Sequence, residues 1–177
     1  KTYRFKYKNN ICEVEKTICK PCLYDLSLEL FDTVVPNAKI IFPYIIQGGK
    51  AEIFSEQYFQ TNFPLTWSYL NEHKDILVKR SINGSKEPKW YQYGRSQSLA
   101  RFHDTPKLIW SVLSTKPGYV FDANNLQFTG GGNGPYYSLF AKSSYSLHYI
   151  LGILSHPVIG AMVKSGASEF RGAYYSH

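Results

Sequence analysis

The apolar residues of this chain are mostly rings: 15 Tyr, 11 Phe and 3 Trp stand against a single Met. Rings and β-branched side chains fit a pleated, half-buried surface, so this composition points to a strand-rich fold. The first residues obey that rule. Tyr3, Phe5 and Tyr7 alternate with Arg4, Lys6 and Lys8, a period of two that predicts a strand with one apolar and one basic face. A second strand is expected through Ile11–Ile18, whereas residues 23–38 show no clear period and break at Pro36-Asn37. The run from Lys39 to Ile46 ends at Gln47-Gly48-Gly49 and reads as a buried strand and turn, with Ala51–Phe54 as its hairpin partner. Phe63, Trp67, Leu70, Ile76 and Leu77 fall near helical spacing. They predict one central helix over Pro64–Arg80, anchored by Trp67, Leu70 and Leu77 and stopped at Asn83-Gly84.

Strand character returns at Lys107–Leu113, Tyr119–Phe121, Leu126–Phe128 and Tyr136–Ala141, and two helices close the chain over Ser144–Ser155 and Val158–Lys164. The expected class is therefore α+β: a mixed, strand-rich fold with one central helix and a C-terminal helix pair. No repeat or low-complexity linker divides the 177 residues, which suit one domain. Its parts would be an entry segment at 1–38, a body at 39–143 with an exposed loop at 81–105, and closing helices at 144–177.

A formal charge of +7 and a pI near 9.2 attract polyanions and say more about partners than about fold. A membrane is not expected as that partner. The longest apolar stretch, Tyr145–Val163, is interrupted by His148, Gly152, Ser155, His156, Pro157 and Gly160; it is too broken to span a bilayer and reads as a buried helix pair. Lys1–Lys8 has no apolar signal-peptide core, and the absence of an initiator Met suggests a piece of a longer polypeptide. Cys12, Cys19 and Cys22 are odd in number and bunched, which favours a reducing cytoplasm over a disulfide framework.

The motifs of catalysis are sparse. Cys19-Lys-Pro-Cys22 has zinc-ligand spacing, but a structural site takes four ligands and the second pair is missing. Thiols in or beside a small core are the simpler reading. The glycines Gly130–Gly132 and Gly134 lack the Lys-Ser/Thr of a phosphate loop; they read as a tight turn whose main-chain N–H groups could approach a phosphate. Adenine-N6 methyl transfer uses an Asn/Asp/Ser-Pro-Pro-Tyr/Phe element, and no two prolines are adjacent here, so no catalytic residue and no resident cofactor are assigned. Glu87-Pro-Lys89, with Asp75 upstream, leaves a metal-dependent nuclease as an alternative. A protein- or glycan-binding module built on the rings is a third reading.

Lys79 to Lys107 carries seven Lys and Arg residues against Glu87 and Asp104, interleaved with Trp90, Tyr91, Gln92, Tyr93 and Gln97. Cations suit phosphates, while forked and amide side chains suit base edges. This is the composition of a double-stranded DNA reader.

The order of the pieces narrows this further. Ile40-Ile-Phe-Pro-Tyr44, Phe63-Pro-Leu-Thr-Trp-Ser-Tyr-Leu70, Leu77-Val-Lys-Arg80 and Trp90-Tyr-Gln-Tyr-Gly-Arg95 come first. Pro106-Lys-Leu-Ile109, Phe121-Asp122, Tyr149-Ile-Leu-Gly-Ile-Leu154 and Arg171-Gly-Ala-Tyr174 follow. The series resembles the TaqI-like C-terminal specificity domain of type II and type IIG adenine-N6 DNA methyltransferases, from about Lys39 to Tyr175. Ser155-His156-Pro157 departs from the helix signature usual there. The resemblance implies a target-recognition domain in a restriction–modification system, beside a methyltransferase catalytic domain in the same polypeptide. That other domain would bind S-adenosylmethionine and flip the target adenine. A recognition domain of specificity-subunit type, acting in trans, is the variant reading. The residues expected on DNA are Lys86, Lys89, Tyr91, Arg95 and Arg101, with Arg95 and Gln97 as base readers and Gln47, Asn125 and Asn133 as turn contacts. Trp90 is read as a buried anchor.

Overall fold

The computed structural model describes residues 1–82, 86–95, 98–116, 118–128, 135–141, 146–170 and 174–176. Strands and helices both contribute, in several small sheets, and the class is α+β. Sequence patterning marked no boundary, but the chain forms two compact units. One holds Lys1–Lys20 and Ile40–Arg101; the other holds Pro21–Lys39 and Phe102–His177.

The first unit opens with the two expected strands, β1 (Thr2–Tyr7) and β2 (Asn10–Glu15), paired as a hairpin in a register that sets Thr2 against Glu15 and Tyr7 against Asn10. A single 3-10 turn, Lys16–Ile18, follows. The chain leaves the unit along β3 (Cys19–Cys22) and returns along β4 (Ala38–Ile41). The strand expected over 39–46 is in fact two, because Pro43 has no N–H to give a ladder. Phe42 instead donates to the Ile18 carbonyl, and a second hairpin, β5 (Tyr44–Gln47) with β6 (Lys50–Ile53), begins beyond the proline. Gly48 and Gly49 turn it at φ +57° and +72°, the left-handed pair that a two-residue hairpin loop needs.

The single central helix is also corrected. Two short helices stand in its place, α2 (Pro64–Glu72) and α3 (Lys74–Leu77), and another, α1 (Glu56–Asn62), precedes them. The residue before a proline is pushed out of the helical region; Phe63 sits at φ −138°, and Pro64 starts α2 afresh. His73, at φ −110°, separates α2 from α3. The Ser55 hydroxyl caps α1 by accepting from the Tyr58 N–H, a start signal inside a stretch that apolar spacing alone left blank. Further on, α4 (Leu99–Asp104) is helical where loop and short strands were expected. The core gathers Ile18, Phe54, Phe59 and Tyr91, with Trp67, Leu70 and Trp90 packed against them. Leu77, expected as an anchor, stays outside this cluster, and Ile76 is 58% exposed.

The N-terminus of α2 is capped from far away in sequence. The Glu15 carboxylate accepts from the Leu65 N–H at 2.8 Å, the Thr66 N–H at 2.9 Å and the Thr66 hydroxyl at 2.5 Å. Burial opposes the Glu15 charge, but these hydrogen bonds outweigh it and hold the carboxyl below its ordinary value. The sign follows: this stabilisation is full above a pH of about 4.5, the unfolded value, and fades as acid protonates the folded carboxylate. Glu15→Gln should therefore cost about 1–2 kcal/mol at neutral pH and flatten the acid limb of the stability profile. Urea unfolding between pH 3 and pH 7 (roughly the linkage window) checks it; parallel profiles for both proteins would refute it.

In the second unit β7 (Lys107–Ser111), β8 (Leu113–Ser114), β9 (Tyr119–Asp122) and β10 (Tyr136–Leu139) come first. There follow α5 (Leu147–Leu154), α6 (Pro157–Gly166), β11 (Ser168–Phe170) and β12 (Tyr174–Ser176). β7 is central, with β9 and β10 antiparallel on its two sides; β12 lies between β8 and β11. The strand expected at Leu126–Phe128 reduces to one bridge, Cys22 to Gln127. The unclassified segment 23–38 contributes Leu23, Leu28 and Val34 to a core with Ile109, Val120, Leu126 and Tyr136. At the end of the sheet Lys107 and Asp122 form a fully buried ion pair, Nζ to Oδ2 2.5 Å.

The closing helices form as expected, but they are not the buried pair that was read from their composition. Leu151 is the buried residue of α5, α6 buries none, and Tyr149, Ile153, Val158 and Met162 are exposed. Pro157 bends the two helices by 70°, so only the α5 face lies on β9. Among the described residues no single helix is long and apolar enough to cross a membrane.

Candidate functional site

The basic-aromatic segment is held from beneath by its own rings. Tyr91 is 3% exposed; its hydroxyl donates to the Phe54 carbonyl at 2.7 Å, and its ring meets Phe59 and Trp67 edge-on at 5.2 and 5.7 Å. Burial, with Glu56 adding a smaller effect, pushes its phenol up to about 12. Trp90 meets Trp67 at 5.2 Å. The Tyr93 N–H donates to the Tyr44 hydroxyl, and the Tyr93 hydroxyl donates to the Ile41 carbonyl. Tyr44 is likewise pushed up to about 12 by burial, against the pull of the Tyr93 N–H and the Arg80 charge. Arg80 ties the segment to the end of α3, its Nη2 donating to the Trp90 and Gln92 carbonyls at 3.0 and 3.1 Å and its Nε to the Leu77 carbonyl. Gln92 closes a turn with Lys89.

With the rings turned in, cations face out. Lys86 and Arg95 are exposed and Lys89 is half-buried. A rigid floor fixes where these side chains begin, and that is what a reader of fixed geometry needs.

The other expected contacts divide. Tyr91 is corrected: buried, with its hydroxyl already donating, it is an anchor and presents nothing to a ligand. Gln92 is 7% exposed and serves the turn. Arg101 is exposed on α4. Gln47 is exposed at the tip of the β5–β6 hairpin, three residues and about 10 Å along the strand from Tyr44. Asn125 is half-buried, with its Oδ1 out of solvent. It takes the left-handed position, φ +55°, in a turn around Asp122, whose carboxylate accepts from the Asn124 and Leu126 N–H groups. Gln97, Asn133 and the glycine turn at 130–134 lie outside the described residues.

No family model matches the chain. Aligned over 181 residues, 96% of it is 25% identical to the type II restriction enzyme and methyltransferase RM.Eco57I of Escherichia coli. The chain is similar to part of a restriction–modification enzyme. It spans 18% of that protein's length, so it corresponds to one portion of a much larger relative.

Among the described residues, those suited to metal chemistry do not gather: no three of His, Cys, Asp and Glu cluster as ligands. Cys12 and Cys22 are buried and Cys19 half-buried; Cys19 donates to the Glu15 carbonyl and Cys22 to that of Leu23. Burial raises the Cys22 thiol above its ordinary range, the opposite of an activated nucleophile. Glu87 is exposed beside Pro88 and Lys89.

Sequence reasoning missed two participants in this surface. Lys74 places its Nζ 5.2 Å from the centre of the Trp90 ring, a contact from the first residue of α3 to a ring outside the helix, which helical spacing could not reveal. Arg80, counted among the cations, is a brace.

Proposed function

We propose that this chain is the double-stranded DNA recognition module of a type II or IIG adenine-N6 restriction–modification methyltransferase, joined to its catalytic domain in one polypeptide and working in the cytoplasm. The observation carrying this reading is the segment 86–95, which buries Tyr91, tethers the half-buried Trp90 and Tyr93 beside it, and leaves Lys86 and Arg95 exposed with Lys89 half-buried between them. The similarity to a restriction enzyme and methyltransferase supplies the context. In this division of labour the catalytic domain binds S-adenosylmethionine and the flipped adenine, and this chain selects the sequence. Arg95 is the base reader, since a guanidinium can take guanine bidentately in the major groove; Lys86 and Lys89 hold phosphates.

Selection of bound duplexes from a random pool, followed by titration in increasing salt, tests the reading. One sequence should be enriched, and a footprint of about five phosphates gives a log–log salt slope of roughly −4 to −5. Lys89→Ala should weaken all duplexes alike, whereas Arg95→Ala should cost about 1–3 kcal/mol on the selected sequence and relax one position. A pool that stays random after selection rules out recognition. Magnesium-dependent cleavage by the purified chain, abolished by Glu87→Ala, would turn the assignment to the nuclease alternative.

A further inference from the structure

The N-terminal hairpin and the braced segment are joined by a track of rings and cations that runs through His73 and Lys74. At the hairpin turn the Lys8 ammonium lies 5.6 Å from the centre of the Tyr7 ring. The Tyr7 ring meets the His73 imidazole at 5.0 Å, and the next residue, Lys74, lies over Trp90. Trp90 is followed back along the chain by Lys89. Three contacts thus lead from Lys8 to Lys89 within one compact unit. The His73 ring is fixed, its Nδ1 at 2.8 Å from the Tyr69 carbonyl and its face against Tyr69. Lys8 and Lys74 are exposed. Glu72 and Asp75 flank the middle of the track and are exposed too; the cationic excess therefore comes from its ends.

We infer that this track, Lys8 through Lys74 to Lys89, is a sequence-blind clamp on the sugar–phosphate backbone of double-stranded DNA. The inference rests on the reading given under Proposed function and extends it to Lys8 and Lys74, outside the basic stretch Lys79–Lys107. Ammonium groups on flexible stems are point charges suited to phosphate, and their seats on aromatic faces fix where the charges stand. Direction is also given by the hairpin: Phe5 and Tyr7 turn toward Tyr69 on α2, so Lys6, one residue between them, faces the other side. Lys6 is as charged as Lys8 and as exposed in class, but it is off the track.

The test is the salt dependence of duplex binding for the full chain, for Lys8→Gln/Lys74→Gln, and for Lys6→Gln. The double variant should reduce the salt slope by about two and weaken selected and random duplexes alike, by roughly tenfold or more at low salt. The ratio between the two duplexes should hold, and Lys6→Gln should barely change the slope. An unchanged slope in the double variant, or a loss per charge from Lys6→Gln equal to that from Lys8 and Lys74, overturns the clamp while leaving recognition by Arg95 intact. Absence of DNA binding by the unaltered chain overturns both. All three positions are exposed, and circular dichroism melting confirms that each variant is folded.

Discussion

Lys107→Met should lower stability by about 3–5 kcal/mol, the cost of leaving a buried charge without its partner. Both side chains of the Lys107–Asp122 pair are fully buried, and Nζ lies 2.5 Å from Oδ2. Burial lowers the Lys107 ammonium from its ordinary range, and Asp122 works against that shift by hydrogen bond and by charge. The cation also sits 5.1 Å from the centre of the Phe102 ring. Met keeps most of the stem's volume, so the loss reports on the charge and its bonds rather than on a cavity. Asp122 cannot simply be neutralised in exchange, because its carboxylate also accepts from the Asn124 and Leu126 N–H groups at 2.8 and 2.9 Å. For a chain of this size each kcal/mol moves the melting temperature by roughly 2–4 °C, so thermal melting or urea unfolding reads the effect easily. A loss under about 1 kcal/mol would mean that the pair is solvated in solution.

Phe59→Ala should cost a comparable amount, about 3–5 kcal/mol, through the cavity it leaves. Phe59 is fully buried and is a hub of ring contacts: Phe54 at 5.8 Å, Trp67 at 5.5 Å and Tyr91 at 5.2 Å. The last contact links stability to the candidate site, since Tyr91 anchors the segment that carries Lys89 and Arg95. On the proposed function, DNA binding should fall on every sequence together, because the floor is loosened rather than one reader removed. Phe59→Leu, which fills much of the space, should recover most of both losses. Denaturant unfolding gives the first quantity and duplex titration the second. If Phe59→Ala kept wild-type affinity while losing stability, the ring floor would not be what positions the cations.

Some of this could be read directly from residue order. The alternation at Tyr3–Lys8, the double glycine after Gln47 and the apolar strands Lys107–Ser111 and Tyr119–Asp122 are local signals, and each formed near its expected bounds. Helix α5 was equally legible. The central helix was legible at its start, Pro64, but not in its extent, because apolar spacing ran across His73 without registering that this residue leaves helical geometry. Residues 23–38 carried no period because their apolar side chains fill gaps in a core built elsewhere.

In the candidate site, sequence determined the inventory: cations and rings interleaved over one short segment, in a chain of net charge +7. Which residues face out was decided by tertiary structure alone. Tyr91 and Lys89 are equally plausible as DNA contacts when read as letters; Phe54 and Phe59 bury the first, and the Lys89–Gln92 turn leaves the second half-exposed. Arg80 and Arg95 are the same residue type, yet three backbone carbonyls, brought to one place by the breaks around α2 and α3, make the first a brace. Period and composition are properties of neighbours along the chain. Partners distant in sequence decide which side chain is spent inside and which remains to meet a ligand.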